Sequence, residues 1–364
     1  MARLRHWGVA QWVLHFDLDQ FIAAVEVLRH PELRGLPVVV GGDGDPTKRG
    51  VVSTASYEAR AHGVHSGLAL RTAARRCPEA VFLPVDKAAY EAASGVVMAT
   101  LREFDAVVEV MGWDEAFLAV ETSDPEGFAR EVQRQVKAVT QLDSSLGIGQ
   151  NKLQAKIATG FGKPAGVFRI TSDTWLEVLG DKPTDALWGV GSRTAKRLAE
   201  LSIMTVAELA AASPRELAPH FGPTIGPWLV QLGRGIDLSR VSAEPWVARS
   251  RSREVTFQSN LTDWAQVGAE VAKIAQVVSS DVAAEGRLAA RIVVKVRFAP
   301  FFTKTHGRAL AEPTQDPAAI EAAALAALGG FTRRDPVRLL GVRAEFAESS
   351  SRPGRDAQPS GRAD

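Results

Sequence analysis

The 364-residue chain has a single cysteine, Cys77. An internal disulfide is therefore excluded, and so is a zinc site built on several thiolates. A reducing cytoplasm suits such a chain. No apolar run approaches the roughly 18 residues that a membrane-spanning helix needs. Arg3 and Arg5 are followed by no apolar segment, so no secretory signal is expected. Charge of one sign is scarce too: 43 Lys and Arg stand against 42 Asp and Glu, a net charge of +1. That speaks against a protein coated in basic side chains for nucleic acid. A modest basic excess sits toward the C-terminal third: residues 248–346 have 14 Lys and Arg against 10 Asp and Glu. What is present is an ordinary globular composition, 46% hydrophobic and 23% charged. The length accommodates about two to four domains.

Residues 13–16 form a short apolar run that ends in Asp17-Leu18-Asp19. This predicts a buried strand with carboxylates at its C-terminal edge. A helix is expected over 21–28, then strands at 36–41 and 51–53 around a glycine-rich loop at 41–50, then a short helix at 57–62. Residues 106–110 and 115–120 read as strands joined through Met111-Gly112-Trp113-Asp114. A helix over 124–141 would bury Phe128, Val132, Val136 and Val139, and a strand at 146–149 would enter a helix at 151–159. Short helices separated by glycines begin at Pro183, and 237–247 reads as a linker. Beyond it the order strand, helix, strand, strand, helix, strand is the ferredoxin-like pattern. The tail from Glu348 has almost no apolar content and is expected to be disordered.

Two acidic pairs, Asp17 with Asp19 and Asp114 with Glu115, stand at predicted strand ends. Hard divalent cations take oxygen ligands, and two such ions about 4 Å apart can serve a phosphoryl transfer. A single acidic pair at a strand end is more often a solvated turn. Here Phe16, Ala116, Phe117 and Leu118 would set the carboxylates beside a core, where unpaired charge is costly.

The stretch Phe16-Asp17-Leu18-Asp19-Gln20-Phe21-Ile22-Ala23-Ala24-Val25-Glu26 resembles the first catalytic motif of the Y-family, translesion DNA polymerases of the polymerase IV type. Gly112-Trp113-Asp114-Glu115-Ala116-Phe117-Leu118 resembles their second. The resemblance runs from about residue 12 to 346 with the motifs in order. It implies a multidomain α+β chain: a ferredoxin-like palm (1–20 and 86–169), fingers (21–85), an all-α helix-hairpin-helix thumb (170–236), the linker (237–247), a β-α-β-β-α-β little finger (248–346) and a disordered tail (347–364). It implies a template-directed polymerase without proofreading, working on primer-template DNA and nucleoside triphosphates as a cytoplasmic monomer.

By the same resemblance, Asp17, Asp114, Glu115 and the backbone carbonyl of Leu18 would hold two Mg²⁺, for which Mn²⁺ can substitute. Asp19 matches no ligand position. Thr54, Tyr57 and Arg60, within Ser53-Thr54-Ala55-Ser56-Tyr57-Glu58-Ala59-Arg60, would bind the triphosphate, as would Lys163; Gln20 and Phe21 would lie near the sugar and phosphates. A guanidinium fork and a lysine point charge both suit phosphate. Lys152 and Lys156 read as solvated helix lysines. Ile22 departs from the family, which has Tyr or Phe there, a ring that lies under the deoxyribose and blocks a 2′-hydroxyl. A smaller branched side chain predicts weak sugar discrimination and use of ribonucleotides. The counter-reading makes Ile22 a core residue and lets a neighbour guard the sugar. Trp113 also departs from the family's small or aliphatic residue.

Leu187-Trp188-Gly189-Val190-Gly191-Ser192 resembles a helix-hairpin-helix turn, with Gly189 and Gly191 placing free helix amides on a DNA phosphate. Arg249, Arg251 and Arg253 alternate on a predicted strand and would share one face toward phosphate. The large apolar residues of a clamp-docking peptide are missing after Phe346, so clamp binding through the C-terminus is not expected. Two other readings stay open: a nucleotidyl cyclase of similar palm design, and a DNA-binding paralogue without catalysis.

Overall fold

The computed structural model describes residues 10–347. The stretch 1–9 and all but the first residue of the expected disordered tail lie outside the described residues. The chain forms two units. One holds the described residues up to Pro46 with Gly50–Pro245, and the other holds Thr47–Arg49 with the described residues from Trp246 on. The division falls inside the stretch read as a linker.

The first unit runs β1 (Ala10–Leu18), α1 (Phe21–Arg29), β2 (Val38–Val40), β3 (Thr54–Ala55), α2 (Tyr57–Ala61), α3 (Leu70–Arg76), β4 (Val81–Leu83), α4 (Lys87–Leu101), β5 (Val107–Val110), β6 (Glu115–Thr122), α5 (Pro125–Thr140), β7 (Ser144–Gly149), α6 (Lys152–Gly162) and β8 (Val167–Arg169). Five of these strands form a sheet in the order β5-β6-β1-β7-β8, and β3-β2-β4 form a smaller one. In β1, Leu14, Phe16 and Leu18 enter a core shared with Val97, Leu118, Val132 and Val136. Strand alternation turns His15 and Asp17 to the opposite face.

Helix α5 starts where Asp124 accepts the Gly127 amide at 2.9 Å, with Pro125 in the first turn. Its buried stripe is Ala129, Val132 and Val136. Val139, expected inside, is 55% exposed, because it lies on the flank of that stripe. Helix α6 lies directly on β7. A Cβ at Gly147 would collide with the Ala155 carbonyl and the Thr159 amide, and one at Gly149 would stand 2.6 Å from the Ala155 nitrogen. The Gly-x-Gly of this strand is thus a requirement of close backbone approach. Gly147→Ala is expected to lower stability by about 1–3 kcal/mol, the usual cost of overpacking, seen as a lower urea midpoint with unchanged slope.

The strand expected at 51–53 does not form. The Val52 amide and carbonyl are taken by Leu68 and Gly67, both at 2.8 Å, and the strand begins only at Thr54. Helices α3 and α4 and strand β4 were not anticipated. The unit ends in five short helices, α7 (Trp175–Leu179), α8 (Ser192–Ala199), α9 (Val206–Ala211), α10 (Pro214–Phe221) and α11 (Ile225–Gly233). They close around Trp175, Leu198, Leu209, Leu217 and Leu229.

The second unit runs β9 (Ser250–Leu261), α12 (Trp264–Ala284), β10 (Ala289–Phe298), β11 (Phe302–Thr314), α13 (Pro317–Gly329) and β12 (Val337–Phe346). This is the expected element order. The sheet is β11-β10-β12-β9 with every pairing antiparallel, so β9 and β10 run parallel with β12 inserted between them. Both helices bury one face, through Val271, Ile274, Val278 and Ile320 against Val294, Val296 and Val342. The architecture is multidomain α+β.

Candidate active site

The β1–β6 register sets Asp17 opposite Glu115 and His15 opposite Phe117. All four side chains therefore share the face that α6 covers. Asp114 stands in the turn just before β6, where its carbonyl accepts the Leu18 amide at 2.9 Å. On α6, Lys152, Lys156 and Thr159 recur at a spacing that puts them on one side of the helix. The Lys156 ammonium is paired with Glu115 and lies 3.1 Å from His15 Nε2. His15 Nε2 is 3.3 Å from Glu115, and its Nδ1 is 2.8 Å from the Thr159 hydroxyl. Lys163, just past α6, is paired with Asp17.

The two lysines read as solvated are corrected by this geometry. Lys152 is 7% exposed and reaches Glu109 at 2.5 Å, and Lys156 belongs to the carboxylate site. His15 was missed as well. Its signal was its place two residues before Asp17, on the same strand face.

The hydrogen bond from His15, reinforced by the Lys156 charge, lowers the Glu115 carboxyl to about 2. Its contribution to stability is therefore present above the ordinary carboxylate range and is lost as pH falls toward about 2. Asp114 moves the other way. Burial first, then the charges of Asp17 and Glu115, raise its carboxyl above the ordinary value. Burial also lowers the pKa of His15.

The donor set fits hard divalent cations. The acidic groups offer oxygens, and burial together with the charges of Asp17 and Glu115 disfavours ionisation of Asp114. Ammonium groups sit on Asp17 and Glu115, which shows where positive charge is demanded. His15, Asp17 and Glu115 offer ligand atoms within 4.8 Å of one another; Asp114 is not one of the three but lines the same cleft as Asp17.

That cleft has a volume of about 340 Å³ and gathers Asp17, Leu18, Asp114 and Lys163 with Gln20, Phe21, Ile22, Thr54, Arg60 and Trp113. Ile22 packs on the edge of the core and also faces the cleft, as does Trp113. Arg60 donates to the Ala55 carbonyl at 2.9 Å, and its guanidinium lies 5.3 Å from the centre of the Tyr57 ring. Tyr57 lines a neighbouring cavity of about 570 Å³, and its hydroxyl donates to Asp19 at 2.9 Å.

Gly189 has φ +98°, a left-handed conformation suited to glycine, and Gly191 precedes the first residue of α8. In the second unit, Arg249 falls just before β9, and its carbonyl accepts the Phe346 amide at 2.9 Å. Arg251 and Arg253 lie opposite the core residues Ala344 and Val342, on the helix-covered side of the sheet. Arg253 bonds Asp281 of α12 at 2.6 and 2.7 Å, and Arg251 is paired with Glu285. The other side of the sheet carries Arg291, Lys295, Arg297 and Arg343, with Glu254 and Glu345 among them.

Three protein-family models match the chain. The impB/mucB/samB family covers residues 16–160 and its C-terminal domain residues 248–356. The thumb domain described as DNA polymerase-iota covers 185–237. DNA polymerase IV 2 of Mycobacterium tuberculosis (strain ATCC 25618 / H37Rv) is 51% identical over 341 residues, 93% of this chain and 98% of that protein. DNA polymerase IV of Methanoculleus marisnigri is 38% identical over 343 residues, 92% of this chain and 94% of that protein. Among solved structures, a Y-family DNA polymerase chimera, Dbh-Dpo4(243-245)-Dbh, superposes with a TM-score of 0.81 at 27% identity, covering 92% of this chain and 98% of that one. The ordered catalytic motifs, the fold and these likenesses agree: the chain belongs to the Y-family of translesion DNA polymerases, of the DNA polymerase IV type.

Proposed function

We propose that the cleft extends a primer by two-metal-ion catalysis and accepts ribonucleotides as well as deoxyribonucleotides. The observation that supports this most is the convergence of Asp17, Asp114 and Lys163 with Thr54 and Arg60 on one cleft that Ile22 also lines, at the position the family resemblance puts under the sugar. Asp17, Asp114, Glu115 and the Leu18 carbonyl would hold two divalent cations, Mg²⁺ or Mn²⁺. When bound, the ions would acidify the primer 3′-hydroxyl and offset charge on the triphosphate. Lys163 and Lys156 would give up their carboxylates to the ions, and Lys163 would turn to the triphosphate beside Thr54 and Arg60, with Tyr57 joining them only if its hydroxyl leaves Asp19. Gln20 and the Phe21 amide bound the phosphates and sugar. The primer oxygen attacks the α-phosphorus and pyrophosphate leaves, so catalysis is mainly positioning and charge stabilisation. Primer extension with each metal separates this from a cyclase and from an inactive paralogue. Lys163→Ala is expected to raise KM for the incoming nucleotide about tenfold, equivalent to about 1.4 kcal/mol, and an unchanged KM counts against its role.

The domain assignment follows the same reading: palm at 1–20 and 86–169, fingers at 21–85, thumb at 170–236 and little finger at 248–346. DNA is held through phosphates, by the α8 amides behind Gly189 and Gly191 and by the arginines of the last domain. Arg251 and Arg253 must exchange Glu285 and Asp281 for phosphate, whereas Arg343, paired with Glu345, stands on the open face. Arg343→Ala is expected to reduce the slope of log K against log salt by about one, and Arg253→Ala by less. Equal slopes for Arg343→Ala and wild type rule that contact out. On the bacterial DNA polymerase IV relatives that it matches, we read the chain as cytoplasmic, and we read it as working as a monomer.

A further inference from the structure

We propose that Asp19 and Gln20 form a latch that fastens α2 and the Lys163 loop to the end of β1, which makes Asp19 a positioning residue for the incoming triphosphate. The proposal rests on the polymerase reading of the cleft.

Asp19 is only 3% exposed, although it follows directly on β1. Its Oδ1 accepts the Tyr57 hydroxyl at 2.9 Å and the Ser145 hydroxyl at 2.9 Å. Its Oδ2 accepts the Ala165 amide at 2.6 Å and the Ser145 hydroxyl at 3.1 Å. Its own amide donates to the Asp143 carbonyl at 2.9 Å. A buried carboxylate without such donors would be strongly disfavoured. Here neutral donors from α2, β7 and the loop after Lys163 converge on one charge, and hydrogen bonds to a charged group are the strong ones.

Gln20 completes the latch. Its backbone is left-handed, with φ 45°, and this turns the side chain so that Oε1 accepts the Tyr57 amide at 2.5 Å. That amide is the first of α2, which no intrahelical carbonyl can satisfy. Ser56 caps the same helix by accepting from Ala59. Two adjacent residues thus hold both ends of Tyr57, backbone and hydroxyl.

Asp19 lines the 570 Å³ cavity and Asp17 the 340 Å³ cleft, while Gln20 lines both. The latch is the wall between them. Tyr57 has a single hydroxyl proton, and Asp19 holds it. While that bond holds, Tyr57 has no proton to give a triphosphate, and its part is to anchor α2, and with it Arg60, beside the cleft. Ala165 lies two residues from Lys163, so the same carboxylate sets the loop that carries the phosphate-binding lysine.

The test is single-nucleotide insertion by the full chain on a primed template, for wild type, Asp19→Asn, Tyr57→Phe and the double variant. Asp19→Asn is expected to raise KM for the nucleotide about tenfold or more while kcat falls by less than about threefold, with primer-template Kd unchanged. The double variant is expected to raise KM no further than Asp19→Asn alone. A wild-type KM in Asp19→Asn, parallel loss of kcat and affinity for DNA, or independent effects of the two substitutions would each overturn the latch. If Asp19→Asn does not fold, Ser145→Ala and Tyr57→Phe remove its donors singly: raised KM in both supports the latch, and an unchanged KM in either overturns it. Failure of the wild-type chain to extend the primer would instead overturn the polymerase reading.

Discussion

Asp114→Ala is expected to lower kcat/KM for nucleotide insertion by about a thousandfold or more, about 4 kcal/mol of transition-state stabilisation. The substitution removes one of the oxygen donors on which the proposed ion pair depends. DNA affinity should survive, because the DNA-holding elements do not include Asp114. Stability gives a second readout. Burial and the charges of Asp17 and Glu115 raise the Asp114 carboxyl. Its ionised form therefore costs stability in the metal-free protein at neutral pH, and removing it should leave Tm unchanged or higher. Wild-type denaturation should respond to added Mg²⁺ by mass action, and the variant should respond less. Activity within about tenfold of wild type would show that Asp114 is not a ligand, since that is only about 1.4 kcal/mol.

Restoring a ring at Ile22 is the second large effect. Ile22→Phe should increase discrimination between deoxy- and ribonucleotides by about a hundredfold, close to 2.7 kcal/mol. The change should appear as lost ribonucleotide insertion, with deoxynucleotide insertion nearly intact. The reason is steric. Ile22 lines the cleft, but its other side packs on the core beside Phe21, so it cannot rotate freely toward a 2′-hydroxyl. Wild type is expected to reject ribonucleotides by less than about a thousandfold, roughly 4 kcal/mol. Stronger rejection would return the gate to a neighbour. Trp113 is the candidate on this structure, because it lines the same cleft and is the other departure from the family motif. Trp113→Ala then becomes the deciding variant: lost discrimination would assign the gate to that ring.

The carboxylate site was legible because strand alternation is local. Asp17 at the end of an apolar run and Asp114-Glu115 after a turn are patterns of a few residues each, and the β1–β6 register brought Asp17 and Glu115 opposite. The same holds for α5, whose cap and apolar stripe lie within its own sequence. The element order of the second unit followed from period-two and period-3.6 patterning alone.

What did not follow was partnership. Lys156 and Glu115 are separated by a long stretch of chain, and nothing in the helix pattern distinguishes a lysine that faces a carboxylate from one that faces water. Arg251 and Arg253 share a strand face as predicted, but which side α12 covers depends on packing, and with it whether Asp281 and Glu285 reach them. Asp19 looked dispensable because the motif gives it no metal role, and its four contacts come from three distant segments.

The amino-acid sequence by itself determined the reaction class and the element order of the second unit, and it set Ile22 at the position that the family resemblance puts under the sugar, because motifs and periodicities are local properties. The tertiary structure alone decided how charges are paired and which cavity each polar side chain serves. Those depend on distances between segments remote in the chain, and no local pattern encodes them.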